Sequence, residues 1–131
     1  MKQLGLLLFF SGLLFSFSSC KKVEGEGGSS EIVGKVIIRD YDAFGDLIAE
    51  YPAQDERVHI IYGTEDNYYD DDYDTSFDGT YRFQFLTKGT YKIFVYQNCN
   101  SCPSGDEEVL EVVTIENNNS SVVAPDLIIE K

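Results

Sequence analysis

Short runs of β-branched and aromatic residues, separated by turn residues, make up the chain from Glu31 onward. Hydrophobic positions there alternate with polar ones or form brief continuous runs, and no helical period is present. This pattern predicts strands, and seven segments fit it: 32–39, 57–62, 73–77, 80–86, 90–97, 109–115 and 122–129. Seven short strands in about 100 residues is the count expected of a β-sandwich.

The clearest turn signal is the pair Asp78 and Gly79. Such a pair favours a tight hairpin turn, because glycine adopts a positive φ at little cost. The sequence therefore predicts that segments 73–77 and 80–86 pair with each other as a hairpin.

Alternation within two segments predicts where their side chains point. After the turn, three aromatic residues alternate with polar ones and are expected to face the core together: Tyr81, Phe83 and Phe85. Segment 90–97 is apolar on both faces, which predicts a central position in its sheet. Pro125 has no N–H for a central ladder, so the last segment is expected at an edge or a bulge.

A different pattern occupies the first twenty residues. Lys2 precedes an apolar run from Leu4 to Phe17, and two serines then lead to Cys20. A positive start, a short apolar core and small residues before a cysteine are typical of a bacterial lipoprotein signal. The run has about fourteen residues, whereas a spanning helix needs roughly 20. We therefore predict that Cys20 is lipidated, with ordinary secretory cleavage or a retained anchor as the alternatives.

The residues around this cysteine resemble those of a known group of lipoproteins. The segment from Ser16 to Cys20 resembles the serine-rich variant found in Bacteroidetes, and Lys21 stands where aspartate would favour retention in the inner membrane. Glu24 and Glu26 follow, as in the surface-export signals of that phylum. The resemblance implies an outer-membrane lipoprotein that carries palmitate or a similar acyl chain and lies on the periplasmic side or at the cell surface.

Lipidation would divide the chain into three parts. Residues 1–19 would be the signal peptide, and residues 20–30 would be the lipidated cysteine with a flexible, glycine- and serine-rich tether. Residues 31–131 would form one β-sandwich domain. The formal net charge is −13. So acidic a chain argues against nucleic acid as a partner, because phosphate binding needs clustered lysine and arginine.

The segment from Thr75 to Leu86, followed by Gly89 to Ile93, resembles a known family. It is similar to the T-x-x-DG-x-Y-x-F-x-x-L-x-x-G-x-Y stretch of carboxypeptidase-regulatory-like and transthyretin-like (prealbumin) domains. The resemblance implies an all-β, seven-stranded Greek-key β-sandwich. It implies little about function, since such domains serve as spacers, stalks and ligand carriers. The family's short early loop corresponds here to a longer segment, residues 40–56.

Two cysteines remain once Cys20 carries lipid. Cys99 and Cys102 lie in one predicted loop. In an exported protein this spacing predicts a local disulfide that stiffens the loop tip. The alternatives are a thiol redox role, which lacks its usual strand–helix context, and a metal role, which lacks a second cysteine pair.

Segment 65–74 contains six carboxylates and three tyrosines. A solvated, mutually repelling loop is the simplest interpretation. Calcium is a second interpretation, because oxygen-rich loops bind it and three aspartates have period-two spacing: Asp70, Asp72 and Asp74. The third is a platform for a glycan or a protein, formed by three tyrosines: Tyr68, Tyr69 and Tyr73.

The chain offers little for catalysis. Its single histidine, His59, lies in a predicted strand and is expected to be a satisfied or solvent-facing sheet residue. Nucleophile, phosphate-loop and zinc-protease motifs are missing from the sequence. We therefore predict a non-enzymatic, lipid-anchored envelope protein without a cofactor. Its sandwich would be a binding or structural module for an envelope protein or a glycan, with calcium-dependent or glycan binding by the acidic loop as the alternative.

Overall fold

The computed structural model describes residues 24–131, so the predicted signal peptide and Cys20 lie outside the described residues. Nine strands form this part of the chain: β1 (Glu26–Tyr41), β2 (Leu47–Pro52), β3 (Arg57–Tyr62), β4 (Asp71–Asp74), β5 (Thr80–Leu86), β6 (Gly89–Asn98), β7 (Asp106–Ile115), β8 (Ser121–Val123) and β9 (Leu127–Glu130). The described part contains no helix that is long and apolar enough to cross a membrane.

The strands form two sheets. In the first, β1 pairs with β5 and β2 in antiparallel fashion and with β8 and β9 in parallel fashion. Val33 of β1 pairs with both Arg82 and Val123, so β5 and β8 lie on opposite edges of β1. The second sheet has the order β4-β3-β6-β7 and is antiparallel throughout. The predicted central position of segment 90–97 is confirmed, because β6 lies between β3 and β7.

The hydrophobic core lies between these two sheets. Alternate residues of β1, such as Ile32 and Val36, pack against alternate residues of the second sheet, such as Val58, Ile60 and Ile93. All five of these side chains are buried. Side chains alternate with a period of two along each strand, so one face of each strand supplies the core and the other faces outward. The predicted all-β, two-layer architecture is confirmed.

The strand count differs from the prediction at two places. The segment 40–56, expected as a loop, contains β2. Its residues are exposed or only half-buried, so they leave no apolar alternation in the sequence. The last predicted strand is divided into β8 and β9. Ala124 still donates its N–H to Val33, whereas Pro125, which follows it, has no N–H to donate.

The predicted hairpin at Asp78 and Gly79 is wrong in its pairing. The turn itself forms: the Gly79 N–H donates to Ser76, the Ser76 N–H donates to Thr80, and Gly79 has a φ of 77°. However, β4 pairs with β3 and β5 pairs with β1, so the turn carries the chain from one sheet to the other. Local turn chemistry favours a reversal but does not choose the sheet that receives the next strand.

The prediction that three aromatic rings of β5 face the core holds for two of them. Tyr81 and Phe83 are buried, but Phe85 is 69% exposed. Phe85 has a φ of 59°, and the register of β5 against β1 shifts in this region. This irregularity resets the alternation, so that Leu86 is buried in place of Phe85.

Part of the segment predicted as a flexible tether is ordered, because residues 26–30 belong to β1. The Thr87 N–H donates to the Gly25 carbonyl, and the Gly25 N–H donates to the buried hydroxyl of Tyr91. A Cβ atom at Gly28 would overlap the Leu86 carbonyl oxygen. Gly28, one of the glycines that suggested flexibility, therefore allows a close approach of two backbone segments instead.

Candidate functional site

The outer face of the four-stranded sheet carries an unusual row of side chains. Strand register places four residues side by side across it: Asp72, His59, Phe94 and Leu110. Because side chains alternate along a strand, the inward positions of β3 and β6 supply the core and these positions face outward. Tyr96 of β6 lies two residues beyond Phe94 and faces the same way.

His59 is in contact with three aromatic rings. Its ring centroid is 4.3 Å from that of Tyr69, 5.0 Å from that of Phe94 and 5.5 Å from that of Tyr96. As a result His59 is only 6% exposed. We call the cluster of His59, Tyr69, Phe94, Tyr96 and Leu110 the aromatic face. Its buried members support others that are open to solvent, since Tyr69 is 51% exposed and Tyr96 is 45% exposed.

Tyr69 reaches this cluster from the loop between β3 and β4, residues 63–70. Two hydrogen bonds return the end of the loop to β3. The Asp70 N–H donates to the Ile60 carbonyl over 2.8 Å, and the Tyr62 N–H donates to Asp70 Oδ2 over 2.7 Å. The loop therefore holds Tyr69 against the sheet.

His59 lies in a strand, as predicted, but it is neither solvent-facing nor fully hydrogen-bonded. The ring is buried, and its Nδ1 has no hydrogen-bond partner among residues 24–131. Burial lowers the pKa of His59, and the charge of Arg57 lowers it further, while the carboxylates of Asp72, Asp74 and Glu108 act in the opposite direction. The cluster therefore favours the neutral imidazole.

We expect acidification to weaken the fold through His59. The folded pKa is lower than the unfolded value of about 6.5, so the unfolded chain binds more protons as the pH falls through that range. The contribution of the neutral ring is thus complete above about pH 6.5 and is lost progressively below it. Urea unfolding of the wild type and of His59→Phe, measured from about pH 7.5 to 5, tests this.

Taking the difference in unfolding free energy between wild type and variant removes the contribution of the carboxylates, which both proteins contain. As the pH falls, the wild type should lose more stability than His59→Phe. Equal losses, or a larger loss in the variant, would contradict the assignment. The latter result would mean that a protonated His59 is stabilised by Asp72.

The three tyrosines predicted as one platform do not lie together. Tyr69 belongs to the aromatic face, and Tyr68 is largely exposed in the loop. Tyr73 lies on the other side of β4, with its ring edge-on to Phe83 at 6.3 Å. The second exposed tyrosine beside Tyr69 is Tyr96, which the sequence analysis did not assign to a site. The apolar outer positions of segment 90–97 were a signal that could have found it.

The three aspartates considered for calcium have separate contacts. Asp74 accepts two hydrogen bonds from the Arg57 guanidinium, at 2.9 and 3.1 Å, and this lowers the pKa of Asp74. Asp70 accepts the hydrogen bond from Tyr62, and Asp72 lies opposite His59. Within residues 24–131, a group of three side chains of metal-ligating type does come within 4.8 Å, namely Cys99, Cys102 and Glu107, but the two sulfurs are bonded to each other and offer no thiolate.

Cys99 and Cys102 are joined by a disulfide with a Cα–Cα distance of 5.3 Å, in agreement with the prediction. They lie in the loop between β6 and β7. The loop is also held by backbone hydrogen bonds, in which Cys99 donates to Gly105 and Gly105 donates to Cys102. These bonds hold the loop beside the ends of β6 and β7.

A groove of about 650 Å³ lies at this end of the sandwich. We call it the end groove. Eight of its lining residues have polar side chains: Glu56, Tyr96, Gln97, Asn98, Asn100, Asp106, Glu130 and Lys131. Burial raises the pKa of Glu56, and the Lys131 charge opposes this effect. Tyr96 belongs to both the aromatic face and the end groove, so the two surfaces are continuous.

Comparison with protein-family models and with curated proteins gave no match. Among solved structures, the chain is similar to a Pseudomonas aeruginosa protein described as a candidate carbohydrate-binding protein. The sequences are 14% identical and the TM-score is 0.49, with 82% of this chain and 91% of that chain covered. A likeness at this level does not indicate what the present chain binds.

Proposed function

We propose that this protein is a lipid-anchored envelope protein whose β-sandwich is a non-catalytic binding module, and that the aromatic face is its binding surface. The observation that carries this proposal is the exposure of three neighbouring side chains on the outer face of the sheet, where polar side chains are usual: Tyr69, Tyr96 and Leu110. Contiguous exposed apolar surface of this kind marks interaction sites, and tyrosine is prominent among residues that dominate binding energy.

The packing beneath these rings supports the same proposal. Phe94 and His59 are buried and stack beneath Tyr69 and Tyr96. Three of the four lie on the central strands β3 and β6, so the exposed rings rest on a rigid base. A rigid surface loses little conformational entropy when a partner binds.

The position of the proposed anchor suits display of this surface. Five peptide units separate Cys20 from Gly25, which is hydrogen-bonded to Tyr91 at the sandwich end where β6 begins. Such a segment spans at most about 18 Å. The end groove lies at the opposite end of β6, about 30 Å away. A lipid on Cys20 would therefore leave the end groove and Tyr96 pointing away from the membrane.

The transthyretin-like Greek-key classification is also part of the proposal. The motif residues that suggested it have structural positions that suit a sandwich: Tyr81, Leu86 and Tyr91 are buried, and Gly79 occupies a turn with positive φ. These positions support the resemblance without adding information about the ligand.

Site-specific cross-linking in cells tests the binding surface. A photoreactive phenylalanine analogue at Tyr96 should yield a discrete cross-linked product, and Leu110→Asp should abolish it. The same analogue at Val123, which is exposed on the other sheet, is the matched control and should not yield that product. Identical products from both positions, or none from Tyr96, would favour a structural spacer.

Membrane fractionation tests the anchor separately. Cys20→Ser should move the protein from the membrane fraction to the soluble fraction and prevent incorporation of labelled palmitate. Unchanged fractionation without acylation would contradict lipid anchoring and would leave the binding surface to be judged by cross-linking.

A further inference from the structure

We infer that the aromatic face and the adjoining end groove bind an arginine-bearing segment of a basic partner protein. This inference rests on the proposed function, because it names the partner chemistry of the same surface. It is carried by the charges around Tyr96 and by the hydrogen bonds already made by neighbouring side chains.

Carboxylates surround the exposed tyrosines. Glu108 lies directly opposite Tyr96 in the strand register, and Asp106 lines the end groove beside it. Asp72 lies opposite His59 on the other side of the cluster. A cation that approaches the ring of Tyr96 therefore meets negative charge from β7 on one side and, beyond His59, from β4 on the other.

The nearby cations compensate this negative charge only in part. Lys92 lies on the outer face of β6, four residues before Tyr96. Arg57 makes a two-point ion pair with Asp74. Lys131 lies at the end groove, where Glu56 and Glu130 are also present. The formal net charge of −13 adds a long-range attraction for basic partners and a repulsion of anionic ones.

The geometry favours arginine over lysine. A guanidinium group is planar, so it can stack on a tyrosine ring while its edge donates hydrogen bonds to carboxylates. Tyr96 offers an exposed ring with Glu108 and Asp106 on the adjoining strand. The compact ammonium of lysine has no planar face to stack on the ring and no forked edge for two-point hydrogen bonds.

The hydrogen bonds at the groove argue for a peptide over a saccharide. The Gln97 side chain would be a natural partner for sugar hydroxyl groups, but both of its ends are occupied. Its Nε2 donates to Glu107 over 3.1 Å, and its Oε1 accepts from the Glu130 N–H over 3.0 Å. Carboxylates can accept hydrogen bonds from sugar hydroxyl groups, but a neutral sugar does not complement the excess negative charge as a guanidinium does.

Isotope-edited NMR of the full-length protein in detergent micelles tests the inference, with His59 as reporter. It is the single histidine of the chain and lies under both exposed rings, so its ring signals are unambiguous. The probes are the peptide Gly-Arg-Gly-Arg-Gly, its lysine counterpart and a tetrasaccharide of N-acetylglucosamine. The arginine peptide should shift the His59 signals and bind about tenfold more tightly than the lysine peptide.

Two charge-matched triple variants separate site recognition from general attraction. Asp72→Asn, Asp106→Asn and Glu108→Gln together should weaken the arginine peptide about tenfold or more. The control set changes three exposed carboxylates on other parts of the surface: Asp46→Asn, Glu116→Gln and Asp126→Asn. This control should retain affinity within about twofold, because distant surface charges are screened by salt.

Three results would overturn the inference. Equal binding of both peptides with equal losses in both triple variants would show general charge attraction. Shifts of the His59 signals by the tetrasaccharide alone would show a sugar site. An absence of shifts with every probe would reject arginine recognition. The cross-linking at Tyr96 would in each case still decide whether the face binds a partner at all.

Discussion

Replacing Phe94 by alanine is expected to lower the free energy of unfolding by about 3 kcal/mol, although Phe94 lies on the outer face of its sheet. Its ring is 2% exposed and packs between His59 at 5.0 Å and Tyr96 at 5.3 Å. Truncation would leave a cavity beneath the aromatic face and remove two ring contacts. Urea unfolding of wild type and variant at neutral pH measures the difference.

Leu110→Ala is the matched control for this prediction. Leu110 is the register neighbour of Phe94 on β7, but it is substantially exposed. Its truncation should cost less than about 1 kcal/mol. If Phe94→Ala were no more costly than Leu110→Ala, the aromatic face would be a loosely covered surface, and the rigid base that we propose beneath Tyr69 and Tyr96 would be wrong.

Removing one hydroxyl from each of two buried tyrosines should change stability in opposite directions. Tyr91 and Tyr81 are both 0% exposed. The Tyr91 hydroxyl accepts a hydrogen bond from Gly25 at 3.1 Å and donates one to the Thr87 carbonyl at 2.7 Å. The Tyr81 hydroxyl has no partner among the described residues.

Tyr91→Phe should therefore lower the free energy of unfolding by about 2 kcal/mol, because it leaves the buried Gly25 N–H without its partner. Tyr81→Phe should raise it by about 1 kcal/mol, because it removes a buried hydroxyl that gains nothing from the fold. Urea unfolding of the two variants measures both values. A loss at Tyr81 equal to that at Tyr91 would show that the Tyr81 hydroxyl has a partner, such as a buried water.

Much of the framework could be predicted from local pattern. The bounds of β3 and β5 match the predicted segments, and β6 and β7 contain theirs. The central position of β6 also followed from the sequence, because a strand that is apolar on both faces is covered on both. Within β5 the prediction failed where one position departs from the period: the positive φ at Phe85 moves that ring outward and Leu86 inward.

In the candidate site, too, local features were predictable and contacts between distant segments were not. The tyrosines of the acidic segment were visible in the sequence, and so were the apolar outer positions of β6. The sequence did not show that these residues lie close together, because Tyr69 and Tyr96 are far apart in the chain and come together only through the pairing of β3 with β6. Tyr73 was assigned to the wrong group for a related reason, since it lies on the core side of β4, next to Phe83.

By itself the sequence determined the all-β class, the acidic surface, the cysteine pair and most of the strands, because these depend on composition and on a period of two within each segment. Tertiary structure decided which strands are neighbours, which sheet follows the turn at Gly79 and which rings surround His59. Those outcomes depend on contacts between distant segments, and a local pattern of hydrophobic and polar residues carries no information about which segment will cover which.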